Sequence, residues 1–380
     1  MAIDLREVSP KKQTYAMCLD SVRADGKQLK FVQEAFQTEA LCMEAIKQNA
    51  FAFRYVKTQT PKLCLEAVRQ KAVTLEYVKE QTPELCLEAV KALGWTIKYV
   101  HEQTPELCLE AVKDYGKALA YVKEQTPAIC RAAINENIRA LEFVKDLAIC
   151  LEKIERDGNY IRFIKNQTPE LCLAAVRQNP FALSYINDQT PEVCWEAVRQ
   201  AGTVIEYVKD QTPELCLEAI KQNGWALEYL KHQTPELCLE AVRENGNILM
   251  LVQEQTPEIC LEAVRQKGQA LQFVNQQTRK ICLEAVKQDG IALKFVEKRT
   301  DKICLEAVKN KGRALMFIPK SEQTLSIAIA ALKQDPDSRK YLAAKFRTPE
   351  VYKAAGCDYG PEDLAPLRRN AKRERTAPEH

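Results

Sequence analysis

Between Thr212 and Gln233 the chain reads TPELCLEAIKQNGWALEYLKHQ, and the alternation of apolar and polar positions in this stretch predicts two short helices. Thr212 is a good N-cap, and Pro213 suits the first helical position, where a missing N–H costs nothing. Glu214 then sits in the positive first turn of the helix dipole. On a helical wheel Leu215, Cys216, Leu217, Ala219 and Ile220 cover an arc of about 200°. So wide an apolar arc suits a helix buried by neighbours on both sides. Gln222, Asn223 and Gly224 end the first helix, with glycine expected as its left-handed C-terminal residue. Ala226, Leu227, Tyr229 and Leu230 then form the apolar face of a second helix. Neither helix is long enough to hold alone in water, so stability must come from stacking.

The same pattern recurs along the chain, and the cysteines mark its period. Fourteen of the fifteen fall at Cys18, Cys42, Cys64, Cys86, Cys108, Cys130, Cys150, Cys172, Cys194, Cys216, Cys238, Cys260, Cys282 and Cys304. Eleven of the thirteen intervals are 22 residues; the first is 24, and Cys130 to Cys150 is 20. A continuous helix with an 11-residue apolar repeat would share this period, but a Pro and usually a Gly in every unit would break it. A leucine-rich horseshoe would need β-branched, alternating strands, whereas LCLEAVK is made of helix formers. The expectation is an all-α fold: an α-solenoid of about fifteen helix-turn-helix repeats with degenerate terminal capping units.

Residues 1–37 read as a degenerate N-terminal repeat that keeps Thr14, Cys18, Gly26 and Leu29. Tandem repeats run over 38–318, with one irregularity at 144–150. There two residues are missing, Asp146 replaces the capping Thr, and Lys153 stands where almost every other unit has Ala. Residues 319–360 keep the register in decayed form as a C-terminal cap, with Ala328 and Tyr352 in the cysteine place. Residues 361–380 read as a disordered basic tail.

Units such as LCLEAIKQNGWALEYLKHQTPE resemble the tandem-repeat family catalogued as domain of unknown function 4116. The resemblance covers roughly residues 10 to 318, the irregular segment and the degenerate ends departing from its pattern. It implies helical tandem repeats and brings no established activity or catalytic residue.

Composition adds little that is specific. A formal net charge of +3 over 380 residues does not by itself argue for nucleic acid or an anionic membrane. No apolar run approaches a membrane span, and the first residues lack a secretory signal pattern, so a cytoplasmic protein is expected. The three histidines, His101, His232 and His380, have no zinc-ligand spacing, and no CxxC pair occurs. No phosphate-binding loop or nucleophile motif is present, so neither metal, cofactor nor enzymatic activity is expected.

Four recurring features are candidates for something more than scaffold. The periodic cysteines read as free thiols acting as small buried hydrophobes. An aromatic ladder (Phe31, Tyr55, Tyr77, Tyr99, Tyr121, Phe143, Phe163, Tyr185, Tyr207, Tyr229, Phe273, Phe295, Phe317) could stack bases, but its place on the apolar face predicts core. Gln59, Gln81, Gln103, Gln125, Gln167, Gln189, Gln211, Gln233, Gln255 and Gln277 precede the capping Thr and predict an inter-repeat hydrogen-bond ladder. The position after Gly changes freely among copies, and Phe51, Trp95, Lys117, Arg139, Phe181, Trp225 and Arg313 there are the residue types of binding hot spots. The expected function is a non-catalytic, monomeric interaction scaffold for a protein partner. The alternative is nucleic-acid binding, with Arg368, Arg369, Lys372, Arg373 and Arg375 of the tail as further contacts.

Overall fold

The computed structural model describes residues 4–360 and Asp363. The tail arginines and lysine at 368–375 lie outside the described residues. Sixteen α-helices, Tyr15–Ala24 through Pro349–Ala355, alternate with 3-10 turns, and no strand is found among the described residues. This is a helical-repeat solenoid fold. The chain divides into two units, Met1–Asp188 and Gln189–His380.

In each unit a repeat consists of a ten-residue α-helix and a six-residue 3-10 turn, such as Pro83–Ala92 followed by Gly94–Tyr99. Thr82 Oγ1 accepts the backbone N–H of Leu85 at 3.3 Å, and Pro83 occupies the first helical position. Leu85, Cys86, Ala89 and Val90 of the helix and Ile97 and Val100 of the turn are buried. Fully burying one such aliphatic side chain contributes about 1.5–3 kcal/mol, and this burial is possible only against neighbouring repeats. Thr96, also fully buried, satisfies its hydroxyl by donating to the Leu93 carbonyl at 2.7 Å.

Two expectations about the repeat are corrected. The second helix is a six-residue 3-10 helix, opened in many repeats by an Asn or Asp whose side chain accepts the N–H two residues on, and in others by a residue without a side-chain cap, such as Leu93. Asn223 Oδ1, for example, takes Trp225 N–H at 3.0 Å. The repeat glycine is not a left-handed cap: among the described residues positive φ occurs only at Gly356, after the last helix. The repeat glycines are there for closeness. A Cβ on Gly94 would lie 2.4 Å from the carbonyl oxygen of Ala111 in the next repeat, and Gly202 stands in the same relation to Ala219 at 2.2 Å. The Gly94 amide also donates to Asp114 Oδ2 at 2.8 Å, so glycine and the following helix end are joined by contact and hydrogen bond.

At 144–150 this stacking loosens. Asp146 caps Ala148 N–H at 2.9 Å in the manner of an Asx turn, one residue earlier than the usual Thr. In most repeats a Gly holds the position of Gly94 (Ala at Ala50 and Ala72) and an Ala its counterpart one repeat on; here the two positions are Ile138 and Lys153, both with long side chains, and Lys153 is buried. The helices Pro127–Glu136 and Leu147–Arg156 accordingly pack the most sparsely of successive helices within the first unit.

Tyr352 anchors the last described α-helix, Pro349–Ala355. Its ring is buried and meets Tyr359 edge-on at 5.1 Å, while its hydroxyl donates to Asp363 at 2.7 Å. Burial and the facing carboxylate push that hydroxyl well above the ordinary tyrosine range.

Candidate interaction surface

The glutamines form the predicted ladder, and several of them use the whole carboxamide. Gln81 Nε2 donates to Leu75 O at 3.4 Å in its own 3-10 turn and to Tyr99 O at 2.9 Å in the next. Its Oε1 accepts His101 N–H at 3.0 Å and the Cys86 thiol at 3.5 Å. Gln103, Gln125 and Gln233 repeat this arrangement one or more units away. With two donors and two acceptor sites occupied, the side chain has nothing left for a ligand. The cysteine period thus has a second cause, since a thiol fits a small buried space and also donates to the ladder. All fourteen periodic cysteines are buried and free, and burial raises their thiol pKa values, to about 11 at Cys42, Cys150, Cys238 and Cys304. Such thiols are poor nucleophiles at neutral pH.

The outward charges of the α-helices are also engaged with each other. Arg23 pairs with Glu44 at 3.0 Å, Arg131 with Glu152 at 3.1 Å, and Arg243 with Glu262 at 3.7 Å, each bridging to the next repeat. A cleft of about 640 Å³ between the helices Pro83–Ala92 and Pro105–Asp114 is floored by Cys86 and Gln81, already bonded to each other.

The 3-10 turns present a different surface. In 3-10 geometry residues three apart eclipse, so the position after Gly and the one three further share one outward face. Phe51 with Arg54, Trp95 with Lys98, and Trp225 with Glu228 are such pairs. Of the predicted site residues, Phe51, Phe181 and Trp225 are 39%, 45% and 39% exposed. Arg139 and Arg313 are exposed as well, but Trp95 and Lys117 are half-buried. Trp95 packs edge-on against Tyr99 at 5.8 Å, and Arg313 is taken up by Asp335 at 3.3 Å. Trp225 borders a hollow of about 410 Å³ with Asn245, Gln266 and Lys267.

The aromatic ladder is not core, which corrects the expectation. Tyr121, Tyr185 and Tyr207 are 41%, 40% and 36% exposed, and the other ladder rings are half-buried. As the last residue of its turn, each ring stands at the rim of the apolar face. The residue before each ring completes the surface. Arg54 lies 5.0 Å from the Tyr55 ring centroid and 6.0 Å from Tyr77 in the next repeat. Lys98 lies 5.5 and 5.7 Å from Tyr99 and Tyr121, and Arg162 lies 4.5 and 5.7 Å from Phe163 and Tyr185. Each cation is therefore held between rings of successive repeats. Free variation of this position among copies (Arg54, Glu76, Lys98, Ala120, Glu142) was the available signal.

Among the described residues no helix is long and apolar enough to cross a membrane, and no cluster of His, Cys, Asp and Glu could hold a metal ion. Fold and surface together define a tandem helical-repeat protein. Its residues 190–234, 212–255, 256–300 and 278–323 match the family described as a domain of unknown function, DUF4116, so the stretch from 190 to 323 is built of repeats of that family. The same register runs back through the earlier repeats to Thr38. No curated protein matches the chain.

Proposed function

We propose that the protein is a non-catalytic scaffold that binds a protein partner across its 3-10 turns. The observation that carries this reading is the division of labour between the two layers. Many outward charges on the α-helices pair within a helix or with the next repeat, and glutamines such as Gln81 and Gln103 are taken up by backbone and thiol partners. Most of the large exposed apolar and aromatic groups stand on the 3-10 turns (Phe51, Tyr121, Phe181, Tyr185, Tyr207, Trp225, Met250 and Met316), and fewer on the α-helices (Tyr15, Leu87, Leu147 and Leu325). Aromatic anchors on a rigid frame are what a protein interface needs, since little side-chain entropy is lost on binding.

Quantitative cross-linking from the native host tests this. Full-length protein is compared with a Phe51→Ser, Phe181→Ser, Trp225→Ser variant and with a control bearing Glu88→Ser and Glu240→Ser on the helices. Loss of the same partners from the first variant alone supports the reading. Partners retained by the first variant, or lost equally from the control, refute it.

The exposure of the aromatic ladder also favours nucleic acid as a second reading, because single-stranded bases stack on such rings. Glu76, Glu142, Glu206 and Glu228 within that row oppose a phosphate backbone. A complex with single-stranded RNA or DNA at low salt that weakens steeply with added salt would favour the second reading over the first.

A further inference from the structure

We propose that the place beside Glu76, between the rings of Tyr77 and Tyr99, is a receptor for a Lys or Arg side chain projecting from a protein partner. The inference rests on the reading of the 3-10 turns as the interaction surface and names what that surface recognises.

The argument starts from places of the same kind that the chain fills for itself. Arg54 lies within about 6 Å of the rings of Tyr55 and Tyr77, and Lys98 does the same for Tyr99 and Tyr121. Glu76 holds the same repeat position as Arg54 and Lys98, in the repeat between them, and is exposed. Its place is bounded by two tyrosines like the others. There the chain supplies a carboxylate where its neighbours supply a cation. Arg54 reaches the Tyr77 ring from the preceding repeat at 6.0 Å and Lys98 the Tyr99 ring at 5.5 Å, so each tyrosine already takes one cation, and no cation stands at the repeat position between them. Two electron-rich ring faces and one negative charge select a cation, and the edge-on Trp95 at 5.8 Å stiffens Tyr99. The flanking Arg54 and Lys98 would repel a cation at the two adjacent places, so the local charge pattern also favours one register.

The test follows backbone amide resonances of the full-length protein while N-acetyl-arginine N-methylamide is added, with the uncharged N-acetyl-norleucine N-methylamide as control. The expected result is saturable shifts at Glu76, Tyr77 and Tyr99 with the arginine derivative only. Glu76→Lys places the chain's own cation there, as at Lys98, and should weaken binding at least about tenfold while leaving the far-UV circular dichroism unchanged. Lys98→Glu should open a second site, with new saturable shifts at Tyr99 and Tyr121. Equal shifts with the norleucine derivative, or an unaltered titration of Glu76→Lys, overturn the proposal. Tighter saturation by tetramethylammonium than by the arginine derivative overturns the assignment to a peptide side chain. Loss of arginine binding here with partner capture through Phe51, Phe181 and Trp225 intact would remove this inference and leave the scaffold reading standing.

Discussion

A Cβ placed on Gly94 would lie 2.4 Å from the carbonyl oxygen of Ala111, one repeat further on. No positive φ is involved, so the requirement for glycine is closeness between repeats and not backbone freedom. Gly94→Ala should therefore destabilise the first unit by about 1–3 kcal/mol, the usual cost of overpacking a tight contact. Urea unfolding followed by circular dichroism measures it. Ala72, which already carries a methyl at this position, should tolerate conversion to Gly with a change of no more than about 1 kcal/mol.

Gln103 joins two repeats through Ile97 O, Tyr121 O, Lys123 N–H and the Cys108 thiol. Gln103→Leu keeps the volume and deletes all four bonds, so it should cost about 1–3 kcal/mol in the same unfolding experiment. Gln103→Glu should be no better, because a carboxylate cannot donate to the two carbonyls.

The ladder is interrupted once in the first unit. The shortened segment at 144–150 has no glutamine to link the turn Ile138–Phe143 to Gly158–Phe163, and Ile138 and Lys153 replace the close Gly–Ala pair. Local opening should begin there. Hydrogen exchange monitored by mass spectrometry is expected to be at least ~10-fold faster in peptides spanning 141–165 than in those spanning 97–121.

Burial raises the thiol pKa of every periodic cysteine above the ordinary 9.0, to about 11 at Cys42, Cys150, Cys238 and Cys304. Between those values the unfolded chain has released thiol protons that the folded chain still holds. Stability is therefore unaffected by the thiols below about pH 9 and falls as pH rises through the interval towards about 11. Thermal unfolding across alkaline pH should show a steep decline, and replacing several of these cysteines by Ala should flatten it.

Much of this fold was legible because one repeat position admits so few residues. Thr-Pro at the helix start, Cys and Ala inside, and Gln before the cap each recur for a local reason. The irregularity at Asp146 showed as a broken period. What one repeat could not reveal was the offset between neighbours. Gly224 looked like a helix terminator because a glycine after Gln-Asn fits a left-handed cap; its closeness to Ala241 and Ile248 of the next repeat is invisible in its own sequence. Tyr99 looked buried because its counterpart Tyr229 falls on an apolar face with Ala226, Leu227 and Leu230, yet it ends its turn and meets Lys98 at the rim. For the same reason Phe51 and Trp225 read as exposed side chains from one repeat, whereas the place of Arg54 between two rings shows only in the stack.

The account depends most on successive repeats in each unit sharing a closed interior lined by thiols. Labelling of the native protein with a thiol-specific reagent at neutral pH tests this directly. Cys357, half-buried and donating to Leu332 O at 3.4 Å, should react first, and the fourteen buried cysteines only on unfolding in denaturant. Prompt modification of most of the fourteen in the native state would contradict it.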